Sequence, residues 1–506
     1  MKLSLSILTG LWFALLANFQ AADTAPVVKP NIIFILTDDQ GYGDVGRHGH
    51  PLLKTPNLDA LHDQSVRFEN FYVSPSCSPT RAALMTGRHE FRNGVTHTID
   101  PREHLNKDAI ILPQLLKTAG YRTGFVGKWH LGNEGEYAPE KRGFDWCSTN
   151  VGGPNVHFDP IILRNGQRGP QKGYREDLFF DEAMTFISEN KEAPFFCYLA
   201  TYSPHAPLAA PEEFVAPFRG KVDDEEAAYL GMVANLDYNL GRLTKFLHDR
   251  QLEDNTILMF MNDNGQTHGL DVYNAGMRGC KCTIWQGGSR AMSFWKWPGQ
   301  WPSHTVQNLT AHLDVLPTLC DLAGATIPPE LNTQLDGFTL RPLLEATHPK
   351  SWHEDRLLFH HVGRWPSGLA AAHKFAMASV HTPDLLLVRS QPCDEPACKK
   401  YSSQCTTLRS VEAGSTQAVY TKAKAQFHWG VTPHGRWALF DLKHDLTCQK
   451  DLAAEKPELV SQLAAEYDKW WDSLYPTMIQ LGGDKGEPEL LKKGKGTNNK
   501  ETHKPK

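Results

Sequence analysis

Four short segments of this chain share one design: each is apolar throughout, and each is followed by polar residues. They cover residues 32–36, 123–126, 195–200 and 257–261. Segments that do not alternate between apolar and polar positions are typical of strands buried on both faces of a mostly parallel sheet. The pattern therefore predicts four strands of one such sheet, each with polar side chains at its carboxyl end.

Longer stretches with a helical spacing of apolar residues lie among these segments, at residues 55–64, 112–119, 178–189 and 225–249. Strands that alternate with helices predict an α/β fold, in which a large mixed and mostly parallel sheet is sandwiched by helices. In open sheets of this kind, ligands bind beyond the carboxyl ends of the strands. The polar residues that follow the four strands are therefore expected to meet in one site.

The pattern changes after about residue 344, where short apolar runs follow one another without long helices. These runs cover residues 352–359, 372–380, 384–389 and 437–441. They predict a smaller antiparallel sheet, closed by a helix over residues 457–474. The predicted organisation is an α/β domain (28–345), a C-terminal antiparallel-sheet subdomain (346–478) and a Lys-rich disordered tail (482–506).

The first 22 residues have the pattern of an export signal. Lys2 precedes an apolar run over residues 3–16, and the small residues Ala21 and Ala22 follow. A single-pass membrane anchor is the alternative, but the run is short for a membrane span. We therefore expect residues 1–22 to be cleaved, the protein to be secreted or periplasmic, and no stable membrane insertion. The formal net charge of −5 does not favour nucleic acid as a partner.

Ten cysteines follow this signal, and in an exported protein most of them are candidates for disulfides. Four lie late in the chain: Cys393, Cys398, Cys405 and Cys448. We expect one or two disulfides among these four, with a pairing that the sequence does not determine. A zinc site is the alternative, which the spacing of the four residues disfavours.

The segment CSPTR, from Cys77 to Arg81, combines a cysteine with a predicted helix start. Pro79 suits the first helical position, Ser78 suits the cap, and Gly87 suits the position just past the end. Such a start would place the Cys77 side chain beside exposed backbone N–H groups, where negative charge is stabilised. The sequence therefore predicts a reactive residue at this position.

Two Gly-rich loops offer oxygen ligands directly after buried strands. Asp38 and Asp39 lie in TDDQGYGD, and Asp263 and Asn264 lie in NDNG. Asp and Asn before Gly are also ordinary turn residues, and one such loop alone would be interpreted in that way. Two of them at strand ends favour a hard divalent cation, Ca²⁺ or Mg²⁺ rather than zinc.

Three further segments supply cations and proton carriers. Lys128 and His130 in GKWHLG would point to one side of an extended segment, with Trp129 on the other. A lysine can hold an anionic oxygen and a histidine can move a proton, although a surface turn explains this segment equally well. His205 in SPHAP and Lys281 in MRGCKCTIWQGG are weaker candidates, since a loop histidine and a solvated lysine are common.

Together these segments resemble the formylglycine-dependent sulfatases of the alkaline-phosphatase-like superfamily. The resemblance rests on NIIFILTDDQGYGD, CSPTRAALMTGR, GYRTGFVGKWHLG, NDNG and MRGCKCTIWQGGSR, and it covers nearly the whole mature chain. It implies that a formylglycine-generating enzyme or an equivalent converts Cys77 to formylglycine. It also implies a bound Ca²⁺, with Mg²⁺ as the alternative. The implied ligands are Asp38, Asp39, Asp263, Asn264 and an oxygen of the modified Cys77.

The resemblance also implies roles for the remaining residues. Arg81 and Lys128 would steady the modified residue and the sulfate, while His205 and Lys281 would face the sulfate and the leaving oxygen. One hydroxyl of the aldehyde hydrate would attack sulfur, and the alcohol would leave with a proton from His205. His130 would then take the proton of the second hydroxyl, so that sulfate departs and the aldehyde returns.

Two features depart from the family pattern: Lys281 is flanked by Cys280 and Cys282, and Gln286 stands where an acidic residue is frequent. The leading hypothesis is a sulfatase that acts on a sulfated carbohydrate or an aryl sulfate, with recognition by loops around residues 97–104 and 152–170. One alternative is a phosphonate monoester or phosphodiester hydrolase with the same nucleophile. Another is a non-catalytic, calcium-stabilised glycan-binding protein.

Overall fold

The computed structural model describes residues 29–345, 352–389 and 436–485. The strands are β1 (Asn31–Thr37), β2 (Val66–Phe68), β3 (Phe71–Tyr72), β4 (Arg122–Gly127), β5 (Trp146–Asn150), β6 (Ile161–Arg164), β7 (Gln167–Pro170), β8 (Phe195–Ala200), β9 (Thr256–Asn262), β10 (Arg290–Ala291), β11 (Ser293–Lys296), β12 (His304–Val306), β13 (Thr310–Ala311), β14 (Leu358–His361), β15 (Ala378–His381), β16 (Leu385–Arg389) and β17 (Ala438–Asp441). The α-helices are α1 (Pro56–Gln64), α2 (Cys77–Thr86), α3 (Leu112–Thr118), α4 (Arg175–Asn190), α5 (Glu212–Val215), α6 (Asp224–Asp249), α7 (Gln286–Ser289), α8 (Val315–Ala323), α9 (Pro329–Asn332), α10 (Arg341–Leu344) and α11 (Pro457–Gln480).

The four predicted strands form the centre of the large sheet. Within the described residues this sheet has ten strands in the order β12-β2-β11-β9-β1-β8-β4-β5-β6-β7. Strands β9, β1, β8 and β4 run parallel to their neighbours in this group, so that Ile32 pairs with Phe196 on one side and Ile257 on the other. The outer strands β11, β6 and β7 are antiparallel to theirs. The predicted fold class, a mixed and mostly parallel sheet between helices, is confirmed.

Strand β1 shows why the apolar runs do not alternate. Ile32 and Phe34 pack into one core with α2, α3 and α8, whereas Ile33 and Ile35 pack into a second core with α1, α4 and α6. All four side chains are fully buried. Because helices cover both faces of the sheet, each position of the strand must be apolar. The carboxyl ends of the strands remain as the edge at which polar groups can gather.

Helix α2 begins earlier than the sequence predicted. Its first residue is Cys77 and Ser76 occupies the cap position, so the expectation that Ser78 caps a helix starting at Pro79 is wrong. Proline is tolerated within the first turn because the N–H groups there have no partner inside the helix. Gly87 ends the helix as predicted, with a left-handed φ of 65°. Every residue of α2 is buried, so Cys77 lies inside the protein rather than on its surface.

The smaller sheet contains β14, β15, β16 and β17 in that order, and all of its pairings are antiparallel, as predicted. Two boundaries differ: the runs predicted at 352–359 and 372–380 are strands only over Leu358–His361 and Ala378–His381. Turns and irregular backbone precede β14, and a short 3₁₀ segment with turns precedes β15; apolar composition alone does not distinguish these residues from strand.

Helix α11 is the predicted closing helix, and it continues to Gln480 rather than ending at residue 474. Trp470 and Trp471 of α11 pack with Phe91 and Trp365 in one buried cluster that joins the small sheet to the larger domain. Beyond the helix, the Asp484 carboxylate accepts hydrogen bonds from the backbone of residues 368 and 370. Residues 482–485 therefore pack on the body of the protein, in contrast to the disorder predicted for them.

Several predictions fall outside the described residues, namely the export signal (1–22), the tail beyond residue 485 and three late cysteines, Cys393, Cys398 and Cys405. Cys448 is buried and has no disulfide partner among the described residues. None of the helices in the described ranges combines the length and apolar character that a membrane span requires.

A buried ion pair fastens the start of the C-terminal region to the large domain. Arg356 donates to both carboxylate oxygens of Asp314 at 2.7 and 2.8 Å, and neither side chain is more than 3% exposed. We expect Arg356→Ala to lower the free energy of unfolding by about 3–5 kcal/mol, because it leaves the Asp314 charge buried and uncompensated. Urea unfolding measures this loss as the shift of the midpoint multiplied by the common slope.

Arg341 provides the matched control. It also pairs with carboxylates, Asp321 and Glu345, but its side chain is 47% exposed. The substitution Arg341→Ala should cost less than about 1 kcal/mol. Equal losses for the two variants would contradict the structural role assigned to Arg356.

Candidate active site

Polar residues from four parallel strand ends meet at one edge of the large sheet. Asp38 and Asp39 follow β1, Lys128 follows β4, His205 lies in the loop after β8, and Asp263 follows β9. Backbone hydrogen bonds hold these ends together: Asp38 donates to the carbonyl of Ser203 at 3.2 Å, and Asp263 donates to that of Thr37 at 3.0 Å. The convergence follows directly from the parallel arrangement of neighbouring strands.

Cys77 joins this edge from the first turn of α2. Cys77, Asp38 and Asp263 each offer one ligand atom, and these three atoms lie within 4.8 Å of one another. Asp38, Asp39 and His205 form a second group of the same compactness. Within the described part of the chain, these two groups are the clusters of His, Cys, Asp and Glu close enough to hold a metal ion.

The donor atoms fit a hard divalent cation. Oδ1 of Asp38 and Oδ1 of Asn264 are buried and make no hydrogen bond to any described residue. The Asn264 amide donates through its nitrogen to Asp39 Oδ1 at 2.8 Å, which leaves the carbonyl oxygen available as a ligand. Carboxylate and amide oxygens are the ligands that Ca²⁺ and Mg²⁺ prefer.

Arg81 connects the helix to two of the strand ends. It is fully buried, and its Nε and Nη2 donate to Asp263 Oδ2 at 3.2 and 2.8 Å. Its Nη1 donates to the backbone carbonyl of Lys128 at 2.7 Å. Burial disfavours the charged guanidinium, but Asp263 and Asp38 outweigh burial and raise the pKa of Arg81 above its usual value. Arg81 is therefore a permanent cation at the centre of the site.

Two lysines pair with the aspartates that follow β1. Lys128 Nζ contacts Asp38 Oδ2, and Lys281 Nζ contacts Asp39 Oδ1. Burial opposes the ionised form of Asp38, but the positive charges of Lys128, His205, Arg81 and Lys281 together outweigh burial and lower the pKa of that carboxyl. Burial and the neighbouring Asp38 charge raise the pKa of Asp263. The pKa values of the two carboxyls are thus shifted in opposite directions. A bound divalent cation would favour the ionised form of both.

The surroundings of Cys77 stabilise negative charge. The residue is only 2% exposed, and burial by itself would raise the pKa of its thiol. The positive charges of Lys128, Lys281 and His130 outweigh burial and hold the pKa of Cys77 well below its usual value. An anionic oxygen at this position would be stabilised by the same neighbours.

His130 lies beside Cys77 in a strained backbone conformation. Its φ is 59°, so the extended segment predicted for GKWH ends before it, although Trp129 does point into the core. Nε2 of His130 lies 3.2 Å from the carbonyl oxygen of Thr98 and 3.2 Å from Oε2 of Glu103. Burial would lower the pKa of His130, but the charge of Cys77 and hydrogen bonds with Cys77 and Glu103 together outweigh burial and raise it.

His205 lies on the other side of the aspartates. Its Nδ1 contacts the carbonyl oxygen of Ala206, which can only accept, so Nδ1 carries the proton in the neutral ring. Its Nε2 lies 3.8 Å from Asp39 Oδ2. Burial lowers the pKa of His205. The structure therefore brings both predicted histidines to the site, with different ring nitrogens engaged.

Lys281 is presented by a tight turn between two buried cysteines. Cys282 has a left-handed φ of 61°, its N–H donates to the Pro75 carbonyl at 2.6 Å, and Arg364 donates to its Sγ at 2.7 Å. Cys280 and Cys282 are both buried as thiols. The flanking cysteines thus do not divert Lys281 from the site.

A comparison with known protein families identifies the family whose members share this part of the chain. The sulfatase family model matches residues 30–325, which carry every residue of the site. The chain belongs to the sulfatase family. The resemblance inferred from the sequence motifs is thereby confirmed.

Individual sulfatases show the same relationship. The chain is 34% identical over 354 residues to N-acetylgalactosamine-6-sulfatase of Homo sapiens, across 62% of this chain and 66% of that protein. It is 30% identical over 423 residues to arylsulfatase G of Mus musculus, across 73% of this chain and 77% of that protein. By name these relatives are sulfuric ester hydrolases, the enzyme class that the sequence predicts for this chain.

Solved structures agree with this assignment. Ps i-CgsB in complex with k-i-k-neocarrahexaose superposes with a TM-score of 0.72 at 27% identity, over 87% of this chain and 92% of that chain. The likeness extends beyond the family model into the C-terminal region, since the model itself ends at residue 325.

Two residues beside the site of this sulfatase are not predicted by the sequence motifs. Glu103, which contacts His130, lies in the segment 97–104, for which the sequence predicts only a role in substrate recognition. His268 is 3% exposed, and burial lowers its pKa. The nearby Asp39 charge opposes that shift. Both lie in loops without periodicity, so only the folded chain brings them to the site.

A buried carboxyl supports the loop that carries Asp39. Asp44 Oδ2 accepts a hydrogen bond from the Gly41 N–H at 2.7 Å and contacts the Tyr229 hydroxyl, which lies 3.1 Å from the Asp39 carbonyl oxygen. Burial outweighs these hydrogen bonds and raises the pKa of Asp44 to about 7. The folded protein therefore binds this proton more tightly than the unfolded chain does.

The raised pKa of Asp44 predicts a specific pH dependence. Its contribution to stability is fully present below about pH 4 and is lost as the pH rises towards 7, at up to about 1.4 kcal/mol per pH unit. Asp44→Asn removes this titration, so the variant should gain stability relative to the wild type as the pH rises from 5 to 7.

Urea unfolding of both proteins at several pH values measures this difference. Asp224→Asn is the control, since that side chain is 92% exposed. A difference between wild type and Asp44→Asn that stays constant with pH would contradict the buried neutral carboxyl.

Proposed function

We propose that this sulfatase hydrolyses sulfate esters to an alcohol and inorganic sulfate, with residue 77 as formylglycine and a divalent cation, Ca²⁺ first, at the aspartates. The observation that supports it most is the position of Cys77. It is buried at the start of α2, surrounded by Lys128, Lys281 and His130, and within ligand distance of two aspartates. A surface cysteine or a structural thiol has no need of these neighbours.

The charges of the site support a bound cation. Among the described residues, the carboxylates of Asp38, Asp39 and Asp263 are matched by the cations Arg81, Lys128 and Lys281. A divalent cation would leave a net positive charge, which suits a site for an anionic sulfate ester. It would be held by the three aspartates, Asn264 and residue 77. Its charge would polarise a sulfate oxygen.

The protein's own residues would bind the ester and move its protons. Formylglycine, as an aldehyde hydrate, would supply the nucleophilic hydroxyl. A cation at the aspartates would replace the lysines as the partner of the carboxylates, so that Lys128 and Lys281 could bind the sulfate oxygens. His205 presents Nε2 beside Asp39, and as the imidazolium, with a proton on each ring nitrogen, it would give the Nε2 proton to the leaving alcohol. His130 lies next to residue 77 and would take a proton from it.

We further propose that the substrate is a sulfated carbohydrate and that the protein acts after export. The relatives support this class, because N-acetylgalactosamine-6-sulfatase is named for a sugar sulfate and the Ps i-CgsB structure contains a neocarrahexaose. The N-terminal pattern of Lys2, apolar run and small residues supports export.

Turnover of a panel of sulfate, phosphate and phosphonate esters tests the reaction. We expect the fastest turnover on a sulfate ester, and mass spectrometry of the peptide with residue 77 should give the mass of formylglycine. Cys77→Ala should reduce turnover by roughly 10⁴-fold or more without loss of the fold. Cys320→Ala, at a buried thiol of α8, is the control and should remain active.

Faster turnover of a phosphorus ester would instead identify a phosphonate monoester or phosphodiester hydrolase. An unmodified thiol in protein from the native host, together with glycan binding but no turnover, would identify a non-catalytic binding protein. Either result would overturn the proposed function.

Cation binding can be measured separately from turnover. After treatment with a chelator, calorimetric titration should show one Ca²⁺ site, and Asp38→Asn should weaken its Kd by at least about 10-fold because a charged ligand is lost. Asp224→Asn, at an exposed position, should leave the Kd unchanged. Equal affinities of wild type and Asp38→Asn would place the cation elsewhere.

A further inference from the structure

We propose that Glu103 is a positioning residue that prepares His130 for proton transfer with residue 77. It would do so by keeping the ring proton on Nε2, so that Nδ1 is the basic nitrogen. The proposal rests on the proposed function, to which it adds the residue that sets the state of His130. Nothing in the sequence motifs of the site includes Glu103.

The contacts of His130 fix which nitrogen carries the proton. Nε2 lies 3.2 Å from Glu103 Oε2 and 3.2 Å from the carbonyl oxygen of Thr98. An ionised carboxylate and a backbone carbonyl can only accept hydrogen bonds. Nε2 must therefore donate, and in the neutral ring the lone pair lies on Nδ1.

Nδ1 is left for residue 77. It is buried, and the contacts of Glu103 and Thr98 are made to the other ring nitrogen, while Cys77 is both a hydrogen-bond partner of His130 and the charged neighbour with the largest effect on it. The left-handed backbone of His130 costs roughly 1–3 kcal/mol of strain. Costs of this kind are typical of positions at which a reacting group must be met.

The loop that carries Glu103 is fastened to the segment around His130. Leu105, two residues after Glu103, donates to the Leu131 carbonyl at 3.2 Å. On the other side, Thr96 and His97 both donate to the Arg102 carbonyl, at 3.1 and 3.2 Å. The Glu103 side chain itself is only 13% exposed. The carboxylate is thus held at a fixed place relative to the imidazole.

The charges balance when His130 takes a proton. The proton passes from the hydroxyl of residue 77 to the Nδ1 lone pair, while the Nε2 proton stays between the ring and Glu103. The electron pair of the broken O–H bond forms the C=O bond of the aldehyde, and the bond from that carbon to the sulfate oxygen breaks, so that sulfate leaves with its electron pair. The imidazolium then carries one positive charge next to the negative charge of Glu103. The Nε2 proton is not passed on to Glu103, as it is not passed on to the carboxylate in a Ser-His-Asp triad. Replacing Glu103 by glutamine, which has the same shape but no charge, should therefore raise the free-energy barrier of this step without weakening substrate binding.

Two substitutions separate charge from shape. Glu103→Gln keeps the shape and removes the charge, and we expect it to lower kcat by about 10–100-fold with KM changed by less than about 3-fold. Glu103→Asp keeps the charge and should retain more activity than Glu103→Gln. A merely structural role predicts the reverse order, because glutamine fills the same space.

Glu136→Gln is the control, since Glu136 lies in the loop after His130 and its side chain is 75% exposed. It should match the wild type in kcat and KM. A Glu103→Gln enzyme with unchanged kcat, or one that is more active than Glu103→Asp, would overturn the proposal.

A second measurement needs no turnover. The ¹⁵N chemical shifts of histidine-labelled Cys77→Ser protein report which nitrogen of a neutral ring is protonated, and His130→Gln in that background assigns the signal. We expect the proton of His130 on Nε2, and a proton on Nδ1 would overturn the proposal even if the Glu103 variants do not fold.

The outcomes are distinguishable from a failure of the proposed function. A wild type without activity on any sulfate ester would overturn the proposed function, whereas the protonated nitrogen of His130 would still be measured. An active wild type with its His130 proton on Nδ1 would overturn the role of Glu103 alone.

Discussion

The buried guanidinium of Arg81 is the interaction on which the site depends. Arg81 projects from α2, and it binds the carboxylate of Asp263 after β9 and the backbone carbonyl of Lys128 after β4. Cys77 and Arg81 are four positions apart, which places them on one face of the helix. A single side chain therefore fixes residue 77 relative to two strand ends. The desolvation of a buried guanidinium is tolerable because each of these contacts is a charge-assisted or carbonyl hydrogen bond.

In the same site, buried groups of opposite charge are paired, and a charged ligand would change that pairing. Asp38 and Asp39 are paired with Lys128 and Lys281, and Asp263 is paired with Arg81. Pairs of this kind are costly to bury unless further partners satisfy the remaining oxygens. Oδ1 of Asp38 has no hydrogen-bond partner among the described residues, so the protein groups there match the charges without satisfying every oxygen. In the proposed function, a cation supplies the missing partner and an anionic ester supplies the opposite charge.

How much the sequence could predict depends on how each residue reaches the site. Asp38 and Lys128 directly follow strands that are buried on both faces, so the apolar runs of those strands are enough to locate them. The start of α2 was misplaced because Pro79 suits several positions of a first turn, and the packing of Cys77 among the aspartates decides between them. Glu103 could not be predicted as a partner of His130, because backbone hydrogen bonds between irregular segments place it there.

In both histidines of the site, a backbone carbonyl helps to determine which ring nitrogen carries the proton. The Ala206 carbonyl holds the proton of His205 on Nδ1, which leaves Nε2 beside Asp39. The Thr98 carbonyl and Glu103 hold the proton of His130 on Nε2, which leaves Nδ1 for residue 77. Because none of these acceptors can donate, neither ring can exchange its basic nitrogen without breaking a hydrogen bond. Opposite nitrogens therefore serve the two sides of the aspartate cluster. In the proposed reaction, His205 as the imidazolium gives a proton from Nε2 and neutral His130 takes one at Nδ1, so the histidines need not compete for the same proton.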